Sequence, residues 1–129
     1  AVVDVPVNPI VDIFGKKWRN AQGQLHRVNG PAREAANGDQ TWYENGNIHR
    51  DDDKPAVECV DGCKAWYQHG LRHRAGDQPA LIEANGDQYW YQNNRLHRAD
   101  DKPAIIRANG EQEWWVDGIC VKKLLFKTG

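Results

Sequence analysis

The sequence predicts an all-β fold, an up-and-down antiparallel meander of 24-residue β-hairpin units forming an elongated, curved sheet. Three observations predict it. Trp18, Trp42, Trp66, Trp90 and Trp114 fall at a constant interval of 24 residues, and Pro31, Pro55, Pro79 and Pro103 keep the same interval. A turn dipeptide holds the register too, at Asn37-Gly38, Asp61-Gly62, Asn85-Gly86 and Asn109-Gly110. A fixed period in this range marks a recurring supersecondary unit, and Asn-Gly or Asp-Gly between β-favouring flanks marks a hairpin.

Composition shapes the expected core. Leu, Ile, Val and Phe number 25 of 129 residues, and eight of them lie within the first 14. From residue 18 to 113 the core therefore falls to Trp and Tyr, which bury roughly 150 to 250 Å² each but need a partner for their N–H or O–H. A thin, half-wet layer follows. The net charge of −1 gives no general pull toward nucleic acid or an anionic membrane. No run of about 18 apolar residues is present to span a bilayer, so no membrane partner is expected. With Ala first, no Met and no signal-peptide pattern, the expected location is the cytoplasm. Cys59, Cys63 and Cys120 do not recur from unit to unit and read as reduced thiols. Cys59 and Cys63 straddle the Asp61-Gly62 turn, where an oxidising compartment would allow a cross-strand disulfide.

Residues 1–17 alternate Val with Asp or Pro before Ile13, Phe14 and Gly15, a pattern of extended or edge structure. They read as a cap over the first unit, or as an apolar arm that docks on a partner. Residues 18–113 hold four units. In each, Asn-Gly or Asp-Gly is read as a type I′ hairpin tip. A second turn, Glu44-Asn45-Gly46-Asn47 in one unit, joins the Trp-Tyr strand to a strand bearing His-Arg. The His-Arg pairs are His26-Arg27, His49-Arg50, His73-Arg74 and His97-Arg98, and polar loops such as Asp51 to Lys54 lead from them to Pro-Ala. About two strands per unit and two flanks give on the order of ten strands.

The first unit carries one extra residue before His26 and one fewer between Arg27 and Pro31. Loops vary in this way when strand register is held. In residues 114–129 a partial fifth unit begins, but Val121-Lys122 stands in place of His-Arg and no Pro-Ala follows. Leu124, Leu125 and Phe126 read as a C-terminal cap strand, or as an apolar dimer contact.

Units of the form Trp-Tyr-x-Asn-Gly-x-x-His-Arg-x-Asp-x-Pro-Ala resemble a variant of the MORN-type β-hairpin repeats, over residues 18 to about 118. The resemblance implies an elongated antiparallel sheet used for interaction, with no catalytic residues. Similar His-Arg/Pro-Ala arrays occur in proteins of phages and large viruses. By that analogy the chain is expected to be a phage-encoded inhibitor or modulator of a host defence complex, such as a nuclease or CRISPR effector, in the host cytoplasm. The Gly-x-Gly that follows the basic pair in the better-known pattern is missing here, so a lipid role is not carried over.

Spacing tests the ladders for chemistry. If each unit adds two strands, equivalent residues of neighbouring units lie roughly 9 to 10 Å apart. Ligands of one zinc approach within about 4 Å of each other, so the His ladder cannot share a metal. Tryptophans at that spacing cannot stack, since aromatic pairs prefer centroids about 4.5 to 7 Å apart. Pro, Ala or Tyr is expected between them, as a structural Trp-Pro layer; the alternative is an open aromatic platform. Arg50 with Asp52 or Asp53, and Arg98 with Asp100 or Asp101, suggest a recurring ion-pair network. The alternative is a binding face made of Arg27, Arg50, Arg74 and Arg98 with Asp52 and Asp101, aided by Ile13, Phe14 and Phe126.

No phosphate-binding glycine loop, Cys-x-x-Cys or nucleophile elbow is present. Cys63 with His69 or His73 lacks an orienting group. The expectation is therefore no enzyme, catalytic residue, metal or cofactor, but a protein that binds another protein. Two rivals are a nucleic-acid binder using the Arg and aromatic ladder, and a scaffold or homodimer assembled through its terminal strands.

Overall fold

The computed structural model describes residues 8–126. The valines at 2, 3, 5 and 7 of the expected arm, and residues 127–129, lie outside that range. The described residues form no helix. Eleven strands make one antiparallel sheet that follows chain order from Ile10–Asp12 to Ile119–Leu124 and, among the described residues, does not close on itself. Register runs straight across it: Thr41 faces Val57, then Ala65, Leu81, Tyr89 and Ile105 in succession.

Each unit supplies more strands than expected. Val57–Glu58 pairs with Lys64–Ala65 in the main sheet, after which the chain turns aside at Trp66. Tyr67–Gln68 and Leu71–Arg72 then pair as a separate small hairpin. Tyr43–Glu44 with Asn47–Ile48, and Tyr91–Gln92 with Arg95–Leu96, do the same. The tryptophan is what splits the strand. The Trp66 N–H donates to the Ala80 carbonyl at 2.8 Å, while its carbonyl accepts from His73 N at 3.1 Å. One residue thus serves two ladders, and the described residues form 17 short strands rather than about ten.

The Asn-Gly and Asp-Gly tips are not the expected type I′ turns. Gly38, Gly62, Gly86 and Gly110 have φ between 93° and 100°, but the Asn or Asp before each does not have positive φ. Ala35 N donates to Asp39 O, and Gly38 N to Ala35 O, closing a three-residue loop. This is a type I turn followed by a left-handed glycine bulge, not type I′. The Asn side chain favours it by accepting from the N–H two residues on, as from Asp39 to Asn37 Oδ1 at 3.0 Å. The type I′ pairs lie at the second turn: Asn45-Gly46, His69-Gly70, Asn93-Asn94 and Asp117-Gly118 all have positive φ. The loops before Pro-Ala are also tight turns, with Asp52-Asp53, Gly76-Asp77 and Asp100-Asp101 left-handed.

The core is thin. Ala32, Ala56, Ala80 and Ala104 are fully buried, Trp66 and Trp90 nearly so, and no large side chain is completely enclosed among the described residues. Each of these alanines accepts the main-chain N–H of Trp18, Trp42, Trp66 or Trp90 at 2.7 to 2.8 Å. From residue 10 the expected arm is the first hairpin of the sheet, pairing Gly15–Lys17 with Arg33–Ala35. Ile10, Val11, Ile13 and Phe14 at that end, and Ile119, Val121, Leu124, Leu125 and Phe126 at the other, remain exposed. No helix is long and apolar enough to cross a membrane.

Candidate functional site

The recurring side chains form a mortar between units. Arg27, Arg50, Arg74 and Arg98 each lay the guanidinium over the Trp of their own unit, 3.7 to 3.9 Å from the ring centroid. A desolvated contact of this kind is worth about 1 to 2 kcal/mol. One face of each of these indoles is therefore covered by Arg. Each Arg also donates Nη1 to the carbonyl of Pro31, Pro55, Pro79 or Pro103, at 3.0 to 3.2 Å. At the end of the ladder Lys122 takes the Arg place over Trp114, at 4.5 Å.

The remaining edge of the guanidinium reaches backward. Arg74 Nε and Nη2 hold both carboxylate oxygens of Asp53 at 2.9 and 3.3 Å. Arg98 holds Asp77 at 2.9 and 3.4 Å. The expected partners within the same unit, Asp52 or Asp53 for Arg50 and Asp100 or Asp101 for Arg98, are not used. The left-handed turn aims the acidic residue at the following unit, so the pair spans the junction. The same turn presents a carbonyl there: Trp66, Trp90 and Trp114 donate Nε1 to the main-chain oxygens of Asp53, Asp77 and Asp101 at 3.0 to 3.2 Å. Hydrogen bonds from Arg98, then Lys102, hold the Asp77 carboxyl down to about 2.

Each ladder histidine makes a further tie across the junction. Nδ1 of His26, His49, His73 and His97 accepts the main-chain N–H of Asn45, His69, Asn93 and Asp117 in the next unit, at 3.0 to 3.2 Å. This bears on the one cluster with metal-ligand spacing among the described residues, Glu44, His49 and Asp51. Because His49 Nδ1 accepts, a neutral ring carries its proton on Nε2, which donates to Asp51 Oδ1 at 2.7 Å. A protonated nitrogen is no metal ligand. His69, given no role from sequence, stacks on His49 with ring centroids 4.4 Å apart.

Burial disfavours the thiolate at Cys59 and Cys63. Burial first, then the neighbouring Cys63 and Asp39, push the Cys59 thiol up to about 11. Arg72 was invisible to sequence reasoning because it occupies an apolar slot, filled by Ile48 and Leu96 in adjacent units. It lies between the Tyr67 and Tyr91 rings and donates Nη2 to Tyr67 Oη at 2.7 Å, while its buried Nε lacks a partner.

The mortar fails at one junction, between the first and second units. The short loop there, Val28-Asn29-Gly30, has no left-handed pair. Asn29 stands where Asp53, Asp77 and Asp101 stand later. The loop folds down on its own unit instead, so close that a Cβ at Gly30 would sit 2.9 Å from Arg27 Cζ. Trp42 Nε1, and Nε and Nη2 of Arg50, have no hydrogen-bond partner among the described residues; Arg50 turns Nη1 to Glu58 at 3.2 Å. Gln68 and Gln92 donate to the carbonyls of Arg50 and Arg74, but Glu44 in the equivalent place has no N–H to give Arg27. The result is a groove of about 780 Å³, with Trp42 and Arg50 on one wall and residues 28–30 on the other.

The other expected contact residues are dispersed. Asp52 is exposed at the groove rim, whereas the Asp101 carbonyl is engaged by Trp114. Ile13 and Phe14 border a second cleft of about 450 Å³. Phe126 lies against Gly110 at the opposite end of the sheet. Comparison with family models, curated proteins and solved structures finds no match.

Proposed function

We propose that the chain is a non-enzymatic repeat protein, akin to the MORN-like His-Arg/Pro-Ala arrays, that works by binding another protein. The observation that carries this reading is the contrast between junctions. Where Arg, Trp, His and Asp satisfy one another they build the scaffold, and at the first junction the same donors open onto a groove. The assignment to a phage-encoded inhibitor of a host defence complex rests on resemblance alone. A tagged chain is expected to capture a stoichiometric protein from a host lysate, and capture of none contradicts the reading.

The nucleic-acid alternative draws no support from the inner arginines, whose side chains are 15% and 14% exposed at Arg74 and Arg98 and already hold carboxylates. It requires oligonucleotide affinity that falls steeply with salt. Self-assembly is favoured by one observation, the open edge at Ile119–Leu124 with Ile119 and Val121 exposed. Lys122 and Lys123 on that strand oppose edge pairing. A monomer in sedimentation at high concentration removes it.

A further inference from the structure

We propose that the groove between the first and second units binds an aspartate-containing turn of a partner protein, which takes the place filled at later junctions by the chain's own Asp53 and Asp77 turns. This rests on the protein-binding reading above and names the chemistry of the partner.

The argument is internal to the molecule. Three donor atoms recur at the first three junctions: the indole Nε1, and Nε and Nη2 of the Arg stacked above it. At the next two junctions a single left-handed aspartate satisfies all three, giving its main-chain carbonyl to the indole and its carboxylate to the guanidinium fork. At the first junction the donors are Trp42 Nε1 and Arg50 Nε and Nη2, held by the same stacking at 3.7 Å and the same bond to the proline carbonyl at 3.0 Å. They are preorganised for a ligand the short loop cannot supply. A two-pronged fork matches a carboxylate, and the adjacent indole N–H asks for a neutral carbonyl at the distance set within one aspartyl residue. An isolated phosphate or sugar offers no such pair.

The groove's charges are compatible. Arg27, Arg50 and Lys54 line it, whereas the Asp51 and Glu44 carboxylates are turned to His49 Nε2 at 2.7 and 3.6 Å. Asp52 lies at the rim.

The test uses the chain's own loop as probe, a backbone-cyclised peptide copying residues 97–104. Calorimetry and indole fluorescence should show saturable binding to the intact chain. Asp101→Asn in the peptide, or Arg50→Gln in the protein, should each weaken it about tenfold or more. Replacing Val28-Asn29-Gly30 with the four-residue sequence of residues 99–102 fills the groove in cis and should abolish binding in a folded protein. Equal binding by wild-type and loop-filled chains, or no binding by wild type, overturns the inference. A lysate partner held equally by the loop-filled chain also contradicts it while leaving the protein-binding reading intact. Self-association abolished by filling the loop would place a second copy in the groove and overturn the assignment to a foreign partner.

Discussion

Trp66 shows what a single residue carries in this molecule. Its main chain joins two ladders, its ring supports Arg74, and its Nε1 ties the previous turn. Trp66→Ala should therefore destabilise by roughly 3 to 5 kcal/mol in urea melts; an unchanged midpoint would make the ring a surface platform. Asp77 gives a prediction with a pH sign. Hydrogen bonds from Arg98 and Lys102 hold its carboxyl at about 2, below the roughly 3.9 of an unfolded aspartate. A depressed folded value means the stabilisation is present above about pH 4 and is lost as pH falls toward about 2. Wild type should lose more stability over that interval than Asp77→Asn, and parallel curves would contradict the pairing. The side chain is largely solvated, so the difference is small.

At the scale of elements, the hairpins beside the main sheet are tied to one another by histidine. Each ladder Nδ1 caps the N–H at the tip of the next type I′ turn. His73→Leu should cost roughly 1 kcal/mol by removing the acceptor for Asn93 N. His73→Asn, whose Oδ1 falls near the same place, should recover much of that; equal losses in chemical denaturation would deny the bond. The positions of the turns were legible in the sequence because Gly, Asn and Asp mark them. Their types were not. Asn37-Gly38 and Asn45-Gly46 are the same dipeptide, yet only Asn45-Gly46 is type I′, because the closing hydrogen bond differs by one residue and pairing with a neighbouring strand sets that.

Across the whole molecule, the all-β class, the antiparallel meander and a thin aromatic layer could be read from the 24-residue interval and the scarcity of aliphatic residues, whereas the open ends of the sheet could not. The direction of the Arg–Asp pairs could not, since Asp53 lies two residues from Pro55 in sequence but meets Arg74 across a junction. The length change in the first unit was visible as an insertion and a deletion that cancel. Its consequence, an open groove at Trp42 and Arg50, required the register of the later units for comparison.

Native-state hydrogen exchange at equivalent amides tests this contrast most directly. Gly46, Gly70, Asn94 and Gly118 each donate to the preceding unit at 2.8 to 2.9 Å, so backbone bonding is matched. With the Asp turn missing at the first junction, Gly46 should open at least about tenfold more readily than Gly70 and Asn94. Gly118 serves as the control for fraying at a chain end. Filling the loop should bring Gly46 level with the inner junctions. Equal protection of Gly46, Gly70 and Asn94 in the wild-type chain would contradict the account.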